Sequence, residues 1–215
     1  EALAAKLGRP LDNSYNAEVR DGCAIIPVQG PLFRRASWLA QVSGATSVEM
    51  MAKDFNQALE NPGVHSILLE IDSPGGEING ISEFTKMISD ARGKKPIYAF
   101  ISGTGASGAY YIASAAEHIC AAPMAVIGSV GVVATFRDTK ERDEKAGIRN
   151  IQIVSSQSPD KRLDPSSDDG RQKVQSMVDD LAQVFIADVA RNRGVEEDFV
   201  LENFGETVQE ALPDL

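Results

Sequence analysis

The stretch that decides the fold is "KPIYAFISGTGASGAYYIASAA", residues 95–116. Its first part, "KPIYAFIS", is a dense apolar run of strand length, the pattern of a strand buried on both faces of a sheet. Its last part, "SGAYYIASAA", reads as a helix. The turn between them admits two readings. Gly103, Gly105 and Gly108 spell G-x-G-x-x-G, a dinucleotide-binding fingerprint. Ser107 stands between two small residues, as a nucleophile would.

The flanking sequence settles the fold class. Upstream, "CAIIPVQGPL" (23–32) is a strand ending at Gly30-Pro31. "SVEMMAKDFNQALENPG" (47–63) is a helix with Ser47 as N-cap and Pro62-Gly63 as its stop. "VHSILLEID" (64–72) is a second buried strand, closed by the turn "SPGG" (73–76), and "ISEFTKMISDAR" (81–92) is an amphipathic helix. Downstream come the strand "HICAAP" (118–123), the glycine-rich, β-like "VIGSVGVV" (126–133), the charged helix "RDTKERDEKAG" (137–147) and the strand "RNIQIVSS" (149–156). The loop "PDKRLDPSSDDG" (159–170) follows, then the long amphipathic helix "RQKVQSMVDDLAQVFIADVARNRG" (171–194). "RRASWLAQVSGATS" (34–47) reads as a loop or short helix. Strands alternating with helices predict an α/β fold with a largely parallel sheet and flanking helices. Residues 1–20, polar and mixed, are expected as an N-terminal arm, and 21–215 as a single domain.

Composition excludes several classes. The 215 residues carry a net charge of −10, which argues against nucleic acid and anionic membrane surfaces as partners. The two cysteines, Cys23 and Cys120, read as buried free thiols and suggest neither a disulfide framework nor a zinc site. No metal or cofactor is called for, and no apolar run reaches the length of a spanning helix.

Of the two readings of the turn, the nucleotide reading needs an acid at the end of the next strand. That strand ends in Ala122 and Pro123, and the nearest acids, Glu117 and Asp138, lie before it and far beyond it. The nucleophile reading places Ser107 at the first turn of a helix, where unpaired N–H groups and the helix dipole favour an oxyanion. Gly75 or Gly76 of the neighbouring "SPGG" turn offers a second donor. A plain strand-to-helix connection with small packing residues is the alternative.

A serine nucleophile needs a base. His65 opens the strand that ends at "SPGG", about 20 Å from that turn. His118 follows the helix that Ser107 begins, about 15 Å away. Both read as ordinary sheet-end residues. Among the lysines, Lys161 stands out, because its loop follows a strand and is bracketed by Pro159 and Pro165. By residue physics it is either a solvated loop side chain or a base whose pKa has been lowered.

From about residue 22 to 194 the chain resembles the signal peptide peptidase A family of serine–lysine proteases, which includes the minor capsid protein C proteases of lambda-like phages. The resemblance rests on "IDSPGG", "GASGAYYIASAAEHICAAP", "IGSVGVV" and "SPDKRLDP" ahead of the long helix. It implies a Clp protease/crotonase-like fold, Ser107 as nucleophile, Lys161 as general base, and an oxyanion hole from the backbone of Gly75, Gly76 and Gly108. The related Clp peptidases use a histidine in the segment that here reads "VIGSVGVV", which has none. Asp72 stands where the family commonly has Asn, and "NFGETVQEALPDL" lacks the usual glycine-leucine ending. The N-terminal segment resembles the phage branch more than the membrane-anchored one.

The expectation is therefore a serine endopeptidase that processes phage or prophage capsid or scaffold polypeptides. It would be a homo-oligomer in the bacterial cytoplasm or the prohead, meeting a membrane only through a segment outside this sequence. The alternatives are a signal-peptide-degrading peptidase of the bacterial cytoplasmic membrane, a crotonase-like acyl-CoA enzyme, and a non-catalytic capsid or scaffold protein.

Overall fold

The computed structural model describes residues 8–35, 44–205 and 208–210. The chain forms two compact units, one of Glu1–Gly131 with Phe185–Leu215, the other Val132–Val184.

The first unit is built on an eight-stranded sheet. Its strands are β1 (Arg9–Pro10), β2 (Glu18–Arg20) and β3 (Cys23–Gln29), then β6 (Ser66–Ser73), β7 (Ile97–Ala106), β8 (His118–Ala121), β9 (Val126–Gly128) and β10 (Val208–Glu210); β4 (Leu32–Phe33) and β5 (Thr46–Ser47) form a separate parallel pair. The order is β1-β2-β3-β6-β7-β9-β10, with β8 also on β7. The centre is parallel (β3·β6, β6·β7, β7·β8, β7·β9) and the margins antiparallel (β1·β2, β2·β3, β9·β10). The α/β class with a largely parallel sheet is thus observed.

The burial of the central strands differs from the sequence reading. Ala24, Ile26, Val28, Ile67, Leu69, Ile71, Ile97, Ala99 and Ile101 are fully enclosed. The alternate residues Ile25, Leu68 and Phe100 are half-buried, and Tyr98 is exposed. One face of the pleat carries the core, so the apolar runs conceal an alternation. Helix α1 (Val48–Glu60) packs on β3 and β6, α2 (Ile81–Ala91) against α1, and α3 (Gly108–Ser114) against α2, β6 and β7. Ser47 caps α1 by accepting the Met50 N–H, as expected.

The anticipated arm is, from Arg9, the edge of the sheet. Leu11, Ala17 and Val19 are buried, and the buried Asp54 carboxylate of α1 accepts the N–H groups of Tyr15, Asn16 and Ala17. Cys23 is half-buried and Cys120 exposed, so the second thiol is not in the core. Part of the segment read as a loop or short helix, 36–43, lies outside the described residues. Although "NFGETVQEALPDL" lacks the glycine-leucine ending, a last strand, β10, pairs with β9.

The second unit contains α4 (Lys140–Lys145), the 3-10 turn Pro159–Lys161, and the first part of α5 (Asp168–Arg193), whose end from Phe185 belongs to the first unit. The strand expected at 149–156 is not formed. Ile151 and Ile153 are almost fully exposed, because their alternation meets no strand within this unit to pair with. Two short elements, α6 (Glu197–Val200) and a π turn (Leu201–Gly205), complete the first unit. No described helix is long and apolar enough to cross a membrane.

Arg92 locks the far end of α3. Its guanidinium donates to the carbonyls of Ser114, Ala115 and Ala116, which the helix leaves without partners, and to that of Asn192. Burial, and then the neighbouring Arg193, lowers its pKa from the ordinary value. Arg92→Ala is expected to lower stability by roughly 2–4 kcal/mol, since several charge-assisted bonds go at once. Denaturant unfolding of wild type and variant checks this, and an Arg92→Lys chain should recover a small part of the loss.

Candidate functional site

β7 ends at Ala106 and α3 begins at Gly108, so Ser107 alone makes the corner. Its backbone sits at φ +52°, ψ −126°, a region that side-chain-bearing residues avoid. Such a conformation costs about 1–3 kcal/mol. It persists because both backbone groups are pinned: the Ser107 N–H donates to Gly128 O at 2.8 Å, and its carbonyl accepts the Tyr111 N–H at 3.0 Å. The half-buried Oγ has no hydrogen bond to the described residues of this unit. A sharp strand-to-helix corner of this kind projects the side chain away from both elements.

The three glycines of the fingerprint are explained by packing. A Cβ at Gly103 would lie 2.6 Å from Asp72 Oδ1, one at Gly105 2.7 Å from Ile101 Cδ1, and one at Gly108 2.4 Å from Ile81 Cδ1. The Asp72 carboxylate accepts the Thr104 N–H at 2.9 Å, where the β6·β7 register shifts between Ile71 and Ser73. Asp72 therefore holds the irregular end of β7 that leads into Ser107.

The "SPGG" turn lies against this corner. Gly75 has φ +89°, and a Cβ there would stand 2.8 Å from Gly108 N and 2.9 Å from Ser107 Cβ. Its carbonyl accepts the Leu32 N–H, and its N–H donates to the buried Ser73 Oγ at 3.1 Å. Ser73 Oγ in turn donates to Gly30 O at 2.7 Å. Among the described residues the Gly76 N–H has no acceptor, and Gly108 N–H is one of the unpaired donors at the start of α3. Ser107, Gly75, Gly76 and Gly108 are thus in one place, with the free donors on Gly76 and Gly108. Gly75→Ala is expected to destroy this corner. It combines a left-handed backbone with contacts below 3 Å to backbone atoms that have no room to yield, and should cost about 2–4 kcal/mol with loss of any Ser107 reactivity. A thermal melt and a serine-directed probe on the same sample read both effects.

Lys161 belongs to the second unit and is described there by itself. It ends the turn Pro159–Lys161, is exposed, and donates its backbone N–H to Ser158 O. The loop is braced on either side of it. Lys173 Nζ bonds Asp160 at 2.7 Å and Asp169 at 2.8 Å, and these bonds, that to Asp160 first, raise its pKa. Asp164 accepts from both the N–H and the Oγ of Ser166, which holds its carboxyl below the usual carboxylate range. With Asp160 engaged by Lys173, the Lys161 amine is left without an ion pair among the described residues.

The histidines lie elsewhere. His118 pairs with Tyr98 near the start of β7 and stacks on its ring at 5.6 Å. From there β7 runs eight more residues to Ala106, about 26 Å of strand. His65 is exposed, ahead of β6 and at the end opposite "SPGG". One residue escaped the sequence reading. Ser129 has φ +54° and directly follows Gly128, the acceptor of the Ser107 N–H. Two strained serines therefore share this corner. The sequence signal was the Gly128-Ser129 step in "VIGSVGVV", which reads there only as flexible strand.

A hydroxyl at a strained corner, with free backbone donors beside it, is suited to attack on a carbonyl and to holding the oxyanion that results. Comparison with known proteins gives the class a family. Residues 89–204, more than half of the chain, match Peptidase family S49, and the chain belongs to that family. It is similar to "Capsid assembly protease C" of Escherichia phage lambda, 31% identical over 188 residues that cover 86% of this chain and 43% of that protein. It is also similar to "Head-tail preconnector protein GP5" of Enterobacteria phage P21, at 29% over 184 residues, 85% of this chain and 37% of that one. "Serine protease SPPA, chloroplastic" of Arabidopsis thaliana is 31% identical over 134 residues, 62% of this chain and 20% of the relative. The chain spans less than half the length of each of these relatives.

Proposed function

We propose that the chain is a serine endopeptidase of the Clp protease/crotonase type, working by a Ser107–Lys161 dyad. Ser107 Oγ attacks the scissile carbonyl carbon while its proton passes to the neutral Nζ of Lys161. The new oxyanion takes hydrogen bonds from the N–H groups of Gly108 and the "SPGG" turn. The tetrahedral species collapses, the ammonium returns its proton to the leaving amine, and an acyl-serine remains. Water, deprotonated by the same amine, then attacks the ester and releases Ser107. The observation that carries this reading is the strained backbone of Ser107 beside the free N–H groups of Gly76 and Gly108.

The substrate proposed is an extended polypeptide of a phage or prophage capsid or scaffold. The similarity to a phage capsid assembly protease and to a phage head-tail preconnector protein favours it, and Leu32 already pairs with Gly76 as a strand would. A homo-oligomer is proposed as well, because Val133, Ile151, Ile153, Met177 and Val184 expose apolar surface in the second unit. The test offers the chain two substrates, a capsid or scaffold protein encoded beside its gene and a detergent-solubilised signal peptide, with cleavage read by intact mass. Cleavage of the first at an internal peptide bond, with the acyl group trapped on Ser107, is expected. Cleavage of the signal peptide alone would assign the membrane role, and no cleavage or serine labelling would remove the peptidase reading.

A further inference from the structure

The first unit holds a cavity of about 130 Å³ that the chemistry at Ser107 does not use. Tyr110, Ile127, Val189, Arg193, Phe199 and Phe204 line it, so it is apolar except for one phenol and one guanidinium. An apolar cavity of about 150 Å³ accepts a ring the size of benzene, and this one has room for a branched four- or five-carbon chain.

Its two polar groups keep unused hydrogen-bonding capacity. Tyr110 is 4% exposed, with its ring stacked on Phe204 at 5.1 Å, yet its hydroxyl makes no hydrogen bond to any described residue. The hydroxyl is not among the fully enclosed side-chain oxygens that lack a partner, so it opens onto the cavity that Tyr110 lines. Arg193 donates one Nη1 bond to Ala116 O and has no carboxylate partner among the described residues. Its charged neighbour is another cation, Arg92, already filled by four carbonyls. The Glu117 carboxylate, which accepts the N–H groups of Gly93 and Ile97, is the anion that acts on Arg92 and does not line the cavity. Arg193 is thus the cation that lines the apolar hollow, and no carboxylate among the described residues lines it.

We propose that this cavity is a binding site for a small apolar carboxylate, its branched hydrocarbon end against Phe199, Phe204 and Val189 and its carboxylate on Arg193 and the Tyr110 hydroxyl. Burial raises the Tyr110 pKa to about 12, so the phenol remains a donor at neutral pH. The occupant touches α3 three residues after Ser107, and also Ile127, which precedes the Gly128 carbonyl that pins the Ser107 N–H. The inference does not rest on the peptidase reading, since binding is measured without turnover.

The experiment uses 4-methylpentanoate and its uncharged amide as probes in ligand-observed NMR titrations of the whole chain. Saturable binding of the acid is expected, with the amide at least tenfold weaker. Arg193→Met should lose the acid and Arg193→Lys should keep part of it, while Tyr110→Phe weakens it several-fold. N-acetyl-leucine, added as a third probe, distinguishes a peptide C-terminus from a free acid as the source of the carboxylate. Absence of saturable binding, equal binding of acid and amide, or full binding by a folded Arg193→Met chain would overturn the proposal. Should Arg193→Met fail to fold, the acid-to-amide ratio on the wild-type chain and on Tyr110→Phe decides alone.

Discussion

Ser107→Ala is expected to lose peptide cleavage by roughly a thousandfold or more and to lose labelling by a fluorophosphonate probe. Its fold should persist, because alanine keeps the Cβ and every backbone bond of the corner. Ser107→Gly separates strain from chemistry. Glycine adopts φ +52° freely, which relieves about 1–3 kcal/mol, against about 0.5–1 kcal/mol for the added freedom of the unfolded chain. The net expectation is a chain more stable by about 1 kcal/mol and equally inactive. Chemical denaturation and a peptide-cleavage assay on the same three proteins check both parts. A glycine variant no more stable than wild type would show that the corner stores no strain, and an active alanine variant would remove Ser107 from the chemistry.

Replacement of Lys161 is the second large effect expected. Lys161→Ala should lower turnover by at least about a hundredfold, the contribution of a positioned general base. Lys161→Arg should not restore it, since a guanidinium stays protonated and cannot accept the Ser107 proton. The sign of the pH dependence follows from the role. A base acts in its neutral form, so wild-type cleavage should rise as pH is raised and the amine deprotonates, and fall in acid. A pH–rate profile, taken with circular dichroism at each pH to exclude unfolding, reads this directly. Near-normal turnover by Lys161→Ala would require another base. Lys173→Met gives a subtler check. It removes both ion pairs that brace the loop at Asp160 and Asp169, so turnover should fall with the fold intact, as read by cleavage assay and circular dichroism.

Much of the central fold is legible from local pattern. The runs at 64–72, 95–106 and 108–116 mark β6, β7 and α3, and the serine at the corner between the last two is visible in the sequence. What escapes the reading is non-local. Residues 9–20 look like a polar arm because the group that folds them, the Asp54 carboxylate, lies 37 to 39 residues further along the chain. "RNIQIVSS" has the alternation of a strand, but a strand also needs a neighbour, and none is beside it in its unit. The same limit applies at the site. The sequence could nominate Gly75 and Gly76 together, but only the bond from the Gly75 N–H to Ser73 Oγ shows which of the two donors is engaged. Ser129 was missed because the Gly128-Ser129 step reads in the sequence as glycine-rich strand, and only the backbone shows its positive φ.

The contact between Asp72 and Gly103 has a consequence for how this sequence can change. Asp72 Oδ1 holds the Thr104 N–H and occupies the space in which a side chain at 103 would begin, 2.6 Å from its Cβ. The two positions are therefore epistatic. Gly103→Ala should be damaging in the present background and nearly neutral beside Asp72→Gly, a non-additivity of about 1–2 kcal/mol in a double-mutant cycle. A lineage with a smaller residue at 72 could accept alanine at 103 at once, whereas this one loses less stability by changing 72 first. The order of two substitutions beside the Ser107 corner is set by one carboxylate oxygen.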